Sequence, residues 1–125
     1  MHFHVKKTWT EARKECQGMG ADLASPLSYN EFDEIIASIQ ETDERRVVTV
    51  WIGARLNGTD IRNDWYWISG EPLPVNYLKW ADFEPDNVID GCAFMAYARG
   101  YSPDLRTWTC DSDKIEYLCQ YGRSV

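Results

Sequence analysis

The chain has 125 residues, of which 44% are apolar and 14% aromatic, and its formal net charge is −7. This length suits one domain with a single core, and so many apolar and aromatic residues exclude a disordered chain. The negative charge argues against nucleic acid or an anionic membrane surface as a partner. No apolar run approaches the roughly 20 residues that cross a bilayer. We therefore expect one folded domain over residues 1–125, with no nucleic-acid partner and no membrane insertion.

The first third of the chain predicts a short strand followed by two amphipathic helices. Residues 3–5 alternate apolar and polar side chains, as a strand does. Thr8 and Glu11 have the spacing of a capping box before an apolar stripe, and Ser28 and Glu31 repeat that pattern. The helices are expected from residue 9 to 18–20 and from residue 29 to 39 or 40, with a short buried connection at 21–24.

The rest of the chain predicts strands and loops. Apolar, β-branched and aromatic runs mark the strands, which we expect at Val47–Ile52, Trp65–Ile68, Ala93–Tyr97, Thr107–Thr109 and Ile115–Gln120. Helices followed only by strands indicate an α+β fold with antiparallel pairing. Residues 69–91 carry no regular pattern, and long loops of this kind are usually functional or disordered. Trp80 and Phe83 within them argue against disorder.

The chain contains four cysteines, Cys16, Cys92, Cys110 and Cys119, and no CxxC pair. The missing CxxC spacing argues against a structural zinc site. An even count in a small domain predicts two disulfides and an oxidising compartment, although spacing alone permits three pairings. A Cys16–Cys119 bond would close a loop of about 100 residues, which stabilises by roughly 4 to 5 kcal/mol in chain-entropy models. The alternative is four reduced core cysteines in a cytosolic protein.

The stretch 80–92, WADFEPDNVIDGC, contains four acidic side chains and no basic one. Glu84, Asp86 and Asp90 supply carboxylates on nearby residues, which are the ligands that hard cations prefer. Pro85 follows Glu84, and an X-Pro bond is one of the few that can be cis. Taken alone, such a stretch is more often an ordinary solvated acidic loop, and a cation site is the alternative that the rest of the chain favours.

Six motifs occur in a fixed order over about residues 3–121. They are TWTEARKEC, GADLASP, WIGA, WYWISGEPLPVNYLKW, EPDN and the last three cysteines. Each motif is weak by itself, but together they resemble the C-type lectin-like domain. The chain lacks the extra N-terminal cysteine pair of the family's long form, so it resembles the short form.

The resemblance implies a double-loop α+β fold in which the N-terminal and C-terminal strands pair. It also implies the disulfides Cys16–Cys119 and Cys92–Cys110. The long loop of the family would correspond to residues 69–91.

The resemblance further implies a calcium and sugar site. In sugar-binding members of the family, a bound Ca²⁺ takes two neighbouring sugar hydroxyls as ligands, and the residues that hold the metal also accept hydrogen bonds from those hydroxyls. Glu84 and Asp86 fall on the Glu and Asn of the family's Glu-Pro-Asn motif, with Pro85 as its cis proline. Asp90 falls on the family's third acidic ligand. Glu84, Asp86 and Asp90 are therefore the expected ligands of both Ca²⁺ and sugar.

Two departures from the family pattern limit this expectation. Glu-Pro-Asp combines features of the mannose-type and galactose-type motifs, and Asp86 can only accept hydrogen bonds where Asn also donates, so the sugar preference cannot be read. The family's Trp-Asn-Asp motif is missing from LRTWTC at residues 105–110. An oxygen from Asp104 or Asp111 would need a shifted loop, and Trp108 is expected to pack in the core.

We expect an extracellular carbohydrate-binding domain for Ca²⁺-assisted glycan recognition, of an innate-immune or adhesion type. The alternative is a calcium-independent domain that binds a protein or another non-sugar ligand. The sequon at Asn57 fits a secreted or extracellular chain, and the chain could equally be a domain excised from a larger one.

An enzyme is not expected. His2 and His4 are the only histidines, and we interpret this HxH pair as a frayed terminus or a cloning remnant rather than a metal site. No nucleophile with a neighbouring base is evident. Glu84 and Asp86 have the chemistry of a glycosidase pair, but they fall where the resemblance implies a ligand site.

Overall fold

The structure is a computed structural model that describes residues 1–43, 45, 47–60, 64–73, 80–81, 91–98 and 103–121. The elements follow the order β1 (His2–Lys7), α1 (Trp9–Gly18), β2 (Ala21–Leu23), α2 (Tyr29–Thr42), β3 (Val47–Leu56), β4 (Trp65–Trp67), β5 (Gly91–Ala98), β6 (Asp104–Thr109) and β7 (Ile115–Tyr121). Two helices followed by strands confirm the predicted α+β class.

The N-termini of both helices are capped by the predicted residues, but not in the same way. At α1, the Thr8 hydroxyl accepts from the Glu11 N–H and the Glu11 carboxylate accepts from the Thr8 N–H, which completes the capping box. At α2, the Ser28 hydroxyl accepts from the Glu31 N–H. The Glu31 carboxylate instead accepts from the Leu27 N–H at 2.7 Å. Only half of the second predicted capping box therefore forms, because the Glu31 carboxylate accepts from the N–H of Leu27, one residue before Ser28, instead of from the N–H of Ser28.

Pairing with distant strands lengthens or creates elements that local pattern did not predict. Residues 21–23 form a strand rather than a plain connection, since Ala21 pairs with Tyr121 and Leu23 with Cys119. β3 continues past residue 52 to Leu56 because its last residues pair with β4. α2 also ends later than predicted, at residue 42.

The main sheet has the strand order β1-β7-β3-β5-β6, with β2 attached to β7 and β4 attached to β3. β1 and β7 pair antiparallel, which confirms that the N-terminal and C-terminal strands are partners. β3 and β7 are parallel, with Val50 opposite Glu116 and Trp51 opposite Tyr117. The prediction of antiparallel pairing therefore fails for this one pair. Parallel neighbours need a long connection between them, and here β4 to β6 provide it.

The core consists of two clusters of buried side chains on the helices and the sheet. In the first, Phe32 and Ile36 of α2 pack with β3 and β5. In the second, Trp9 of α1 packs with Trp51 and all four cysteines. The disulfides are Cys16–Cys119 and Cys92–Cys110, as the resemblance implied.

Gly53 allows β3 to touch the connection between β2 and α2. Its N–H donates to the Ala24 carbonyl at 2.7 Å. A Cβ atom at this position would lie 2.6 Å from Ser25 Oγ and 2.9 Å from the Leu23 carbonyl oxygen. Any larger residue would push these segments apart.

Candidate functional site

The three predicted ligands, Glu84, Asp86 and Asp90, lie outside the described residues, as does Pro85. The structure does describe the residues on both sides of segment 82–90. Those flanking residues and the strand to which they attach define the candidate site.

The residues before the acidic segment are attached to β6. Trp80 forms a bridge with Leu105, and the Ala81 N–H donates to the Leu105 carbonyl at 2.9 Å. The Trp80 ring also meets Trp65 of β4, with centroids 5.5 Å apart. These contacts hold the start of the acidic segment against one edge of β6.

The residues after the acidic segment are attached to the other edge of the same strand. Asp90 directly precedes Gly91, which begins β5 and pairs with Thr109 of β6. The next residue, Cys92, is bonded to Cys110. Leu105 and Thr109 are four residues apart, or about 13 Å along a strand. Segment 82–90 thus starts and ends at β6.

The first part of the irregular stretch 69–91, called here the long excursion, also forms regular pairing. Residues 69–74 were predicted to be irregular, yet Pro72 bridges to Tyr66 and the Leu73 N–H donates to the Trp65 carbonyl at 2.8 Å. Leu73 is buried. The excursion is therefore also held at β4, near its beginning.

β6 itself offers a cation rather than further carboxylate ligands. Its side chains alternate, so Leu105 and Thr107 are buried while Arg106 is exposed. Asp104, the only acidic residue of this strand, accepts from Arg106 at 2.9 and 3.3 Å. A carboxylate that binds a guanidinium is a poor additional ligand for Ca²⁺. By the chemistry of the donors, three carboxylates of segment 82–90 fit a hard cation, which backbone oxygens and water would have to complete.

Trp108 is exposed, so the prediction that it packs in the core is wrong. Its side chain is 49% exposed, because the alternation along β6 turns it away from the buried side. Its Nε1–H donates to Asp113 at 2.5 Å. With Phe94 and Ile115 it lines a groove of about 250 Å³. Trp108 pairs with Cys92, so this aromatic surface lies close to the end of the acidic segment.

The two histidines form part of a second cluster of ionisable side chains, which the sequence interpretation had set aside. His2 and His4 lie on β1, so a frayed terminus is wrong. His2 is 8% exposed, and its Nε2 lies 2.7 Å from Oε1 of Glu116. His4 Nδ1 lies 3.5 Å from the same oxygen. The HxH spacing was the available signal, since residues i and i+2 of a strand share a face.

Arg45 joins this group from the connection between α2 and β3. Its guanidinium donates to Asp43 at 2.6 Å and to both oxygens of Glu116 at 2.6 Å. These bonds hold the pKa of Asp43 and that of Glu116 below their usual range. Burial lowers the pKa of His2, which favours its neutral form.

Neither described helix combines the length and apolar character that a membrane span needs.

The profile of the Lectin C-type domain family matches residues 5–121. The chain is 33% identical over 118 residues to the killer cell lectin-like receptor subfamily B member 1A of Mus musculus, an alignment that covers 94% of this chain and 45% of that receptor. The chain spans less than half the length of the first curated relatives that it matches.

Solved structures show the same fold. Human lithostathine has a TM-score of 0.74 and 28% identity, with 98% of this chain and 81% of that chain covered. The C-type lectin domain of the murine dendritic cell inhibitory receptor 2, solved in complex with N-glycan, has a TM-score of 0.73 and 22% identity, with 94% and 84% covered.

Proposed function

The chain belongs to the family of C-type lectin domains, and we propose that it recognises glycans through segment 82–90 with the assistance of Ca²⁺. The family consists of binding domains rather than enzymes, so the chain is a binding domain. In this proposal Glu84, Asp86 and Asp90 hold the cation and accept hydrogen bonds from the sugar.

The attachment of both ends of segment 82–90 to β6 is the observation that carries the proposal. Ala81 is bonded to Leu105, and Gly91 is paired with Thr109. Loops held at both ends by a rigid sheet are the usual place for binding residues. The many carboxylates between these two anchors agree with a ligand that needs acceptors.

The chemistry of the acidic segment suits a vicinal diol. Bound Ca²⁺ would supply positive charge and open coordination positions, since it accepts six to eight oxygen ligands. Each hydroxyl would also donate to a carboxylate of Glu84 or Asp86, and such charge-assisted hydrogen bonds are stronger than neutral ones. Trp108 pairs with Cys92, two residues after the segment, and its exposed ring offers an apolar surface on which the less polar face of a sugar can lie.

A calorimetric titration of Ca²⁺ into chelator-stripped protein tests the metal. We expect saturable binding that Asp86→Ala abolishes and that Glu15→Gln, an exposed acid on α1, leaves unchanged. A panel of immobilised glycans, read with Ca²⁺ and with chelator, then tests the sugar. If the titration shows no heat of binding up to millimolar Ca²⁺, the metal part of the proposal is wrong.

A second candidate is a calcium-independent domain that binds a protein or another non-sugar ligand. Arg106 favours it, because this guanidinium lies on the exposed side of β6 next to the residue that anchors Ala81. This guanidinium already binds Asp104, and such an exposed ion pair can exchange its hydrogen bonds for charge-assisted bonds to a ligand without a metal. Ligand binding that persists in chelator and weakens in Arg106→Gln would select this candidate.

We place the protein, or the larger chain of which it is a domain, in a secreted or extracellular setting. The pairing of all four cysteines supports this placement, since disulfides persist in oxidising compartments. An innate-immune or adhesion role follows from glycan recognition in that setting. Detection of the native protein at the cell surface or in the medium tests this, and confinement to the cytosol would contradict it.

A further inference from the structure

The cluster of His2, His4, Asp43 and Glu116 brings metal-binding atoms from three segments together. One nitrogen or carboxylate oxygen from each residue lies within 4.8 Å of all the others. In a tetrahedral site with bonds of 2.0–2.2 Å, ligand atoms are roughly 3.4 Å apart. A contraction of up to about 1.4 Å would therefore bring three of these atoms around one cation, with a water as the fourth ligand.

His2 provides an independent sign that a cation fits here. Its Nε2 must carry the proton, because it lies 2.7 Å from a carboxylate oxygen of Glu116. In the neutral ring, Nδ1 then presents a lone pair, and this atom is buried and finds no hydrogen-bond partner among the described residues. The nearest acidic atom is Oδ2 of Asp43, at 3.9 Å. Two electron-pair donors face each other across a gap that a cation bonded to both would fill.

The hydrogen bond from His2 to Glu116 is also the arrangement that prepares a histidine for a metal. Metal-binding histidines usually donate their other ring N–H to a carboxylate or carbonyl, which sets the tautomer and the ring orientation. Glu116 performs this role for His2. The His4 ring lies beside the His2 ring, with centroids 4.3 Å apart, so a second imidazole is close to the same position.

A guanidinium already marks the position as one that attracts positive charge. Arg45 binds both carboxylates and lies 3.3 Å from His4 Nδ1. Its side chain is 47% exposed, so it can turn towards solvent without disturbing the core. A divalent cation would supply the same balance of charge and could also bond to nitrogen.

We propose that His2, His4 and Asp43 form a binding site for a divalent metal ion of intermediate softness such as Zn²⁺, which takes the place of the Arg45 guanidinium, while Glu116 holds His2 in position. Two imidazole nitrogens, a carboxylate oxygen and a water in tetrahedral geometry suit Zn²⁺, whereas Ca²⁺ prefers six to eight oxygens. The bound ion would join β1 to the α2–β3 connection. The proposal does not depend on the acidic segment or on sugar binding.

Titration of Zn²⁺ into tag-free protein, in a buffer that contains millimolar Ca²⁺, tests the site by calorimetry. We expect one equivalent of Zn²⁺ to bind, and Co²⁺ in its place to show the visible absorption of a tetrahedral complex. Excess Ca²⁺ keeps the acidic segment from contributing, so failure here and failure of the glycan proposal are separate results.

Two variants distinguish this site from incidental surface binding. Arg45→Gln removes the competing guanidinium and its charge repulsion, so Zn²⁺ should bind roughly tenfold more tightly and should raise the melting temperature more than in the parent protein. His4→Ala removes a ligand whose side chain is 61% exposed, so folding should survive while affinity falls by about tenfold or more. Glu15→Gln is the matched control and should change neither quantity.

Binding that is unaltered in His4→Ala would overturn the proposal, because the chain has no histidine besides His2 and His4. An absence of binding in both the parent protein and Arg45→Gln, with both shown to be folded by circular dichroism, would overturn it as well.

Discussion

Trp65 and Trp80 meet edge to face, with ring centroids 5.5 Å apart and planes inclined by 69°. Trp65 is buried in β4, whereas Trp80 precedes the acidic segment and bridges to β6. The contact therefore links the strand before the long excursion to the residues that lead into the candidate ligands. It is a means by which the core can position a loop that carries several carboxylates.

Replacing Trp80 with alanine should weaken ligand binding without unfolding the protein. Trp80 is only partly buried, so the loss of stability should stay below the roughly 3–5 kcal/mol of a fully buried tryptophan. Ca²⁺ affinity should fall, because the start of segment 82–90 loses its anchor. Calorimetry and urea unfolding measure the two effects, and Trp80→Phe, which keeps an aromatic edge, should retain most of both properties. Unchanged Ca²⁺ affinity in Trp80→Ala would contradict the anchoring role.

Gly53 should tolerate no side chain. Gly53→Ala would place a methyl group 2.9 Å from the Leu23 carbonyl oxygen, and overpacking of this kind destabilises by about 1–3 kcal/mol. Gly18→Ala is the control, because a Cβ there meets nothing within 4 Å and alanine favours a helix by up to about 1 kcal/mol. Urea unfolding of both variants should therefore show opposite shifts. Equal urea midpoints for the two variants would mean that the segments in contact at Gly53 can move apart without a loss of stability.

The protein should lose stability in two stages as the pH falls from neutral. The pKa of His2 is lowered by burial, so the unfolded state binds more protons once the pH drops below about 6.5. The pKa values of Asp43 and Glu116 are lowered chiefly by Arg45. Their contribution is present above about pH 4 and is lost as the pH falls through the lowered folded values.

Unfolding midpoints in urea, measured from neutral pH down to acid, test this dependence. Arg45→Gln removes the main cause of both carboxyl shifts, so its acid limb should be shallower than that of the parent protein. Arg106→Gln breaks an exposed ion pair with Asp104 and should leave the limb unchanged. An equally steep acid limb in Arg45→Gln would show that other groups govern acid stability.

The two disulfides should differ in what they stabilise. Cys16–Cys119 spans 103 residues and Cys92–Cys110 spans 18, so chain-entropy models assign about 4.7 and 3 kcal/mol to them. Paired Cys→Ala variants should reproduce this order in urea unfolding. Removal of Cys92–Cys110 should lower Ca²⁺ affinity more than removal of Cys16–Cys119 does, since Cys92 anchors the end of the acidic segment. Ca²⁺ affinities lowered equally by the two variants would contradict the separate roles.

Much of the secondary structure follows from local pattern, because helix starts and strands depend on neighbours in sequence. Thr8 and Ser28 cap the helices as predicted, since a capping hydroxyl needs only an N–H three residues away. The Glu31 carboxylate accepts from the N–H of Leu27 rather than from the predicted N–H of Ser28, because both N–H groups lie near it and the local pattern does not decide between them. β2 escaped prediction because its three residues form a strand only against β7.

The sequence by itself determined the fold class, the helix caps, most strands and, through resemblance, the family and its cysteine pairing. Only the tertiary structure decided that β3 and β7 run parallel, that Trp108 faces solvent, and that His2 meets Glu116. Each of these depends on residues far apart in the chain that approach when the sheet assembles. Local periodicity determines which faces of an element are apolar, whereas the sheet order determines which side chains those faces meet.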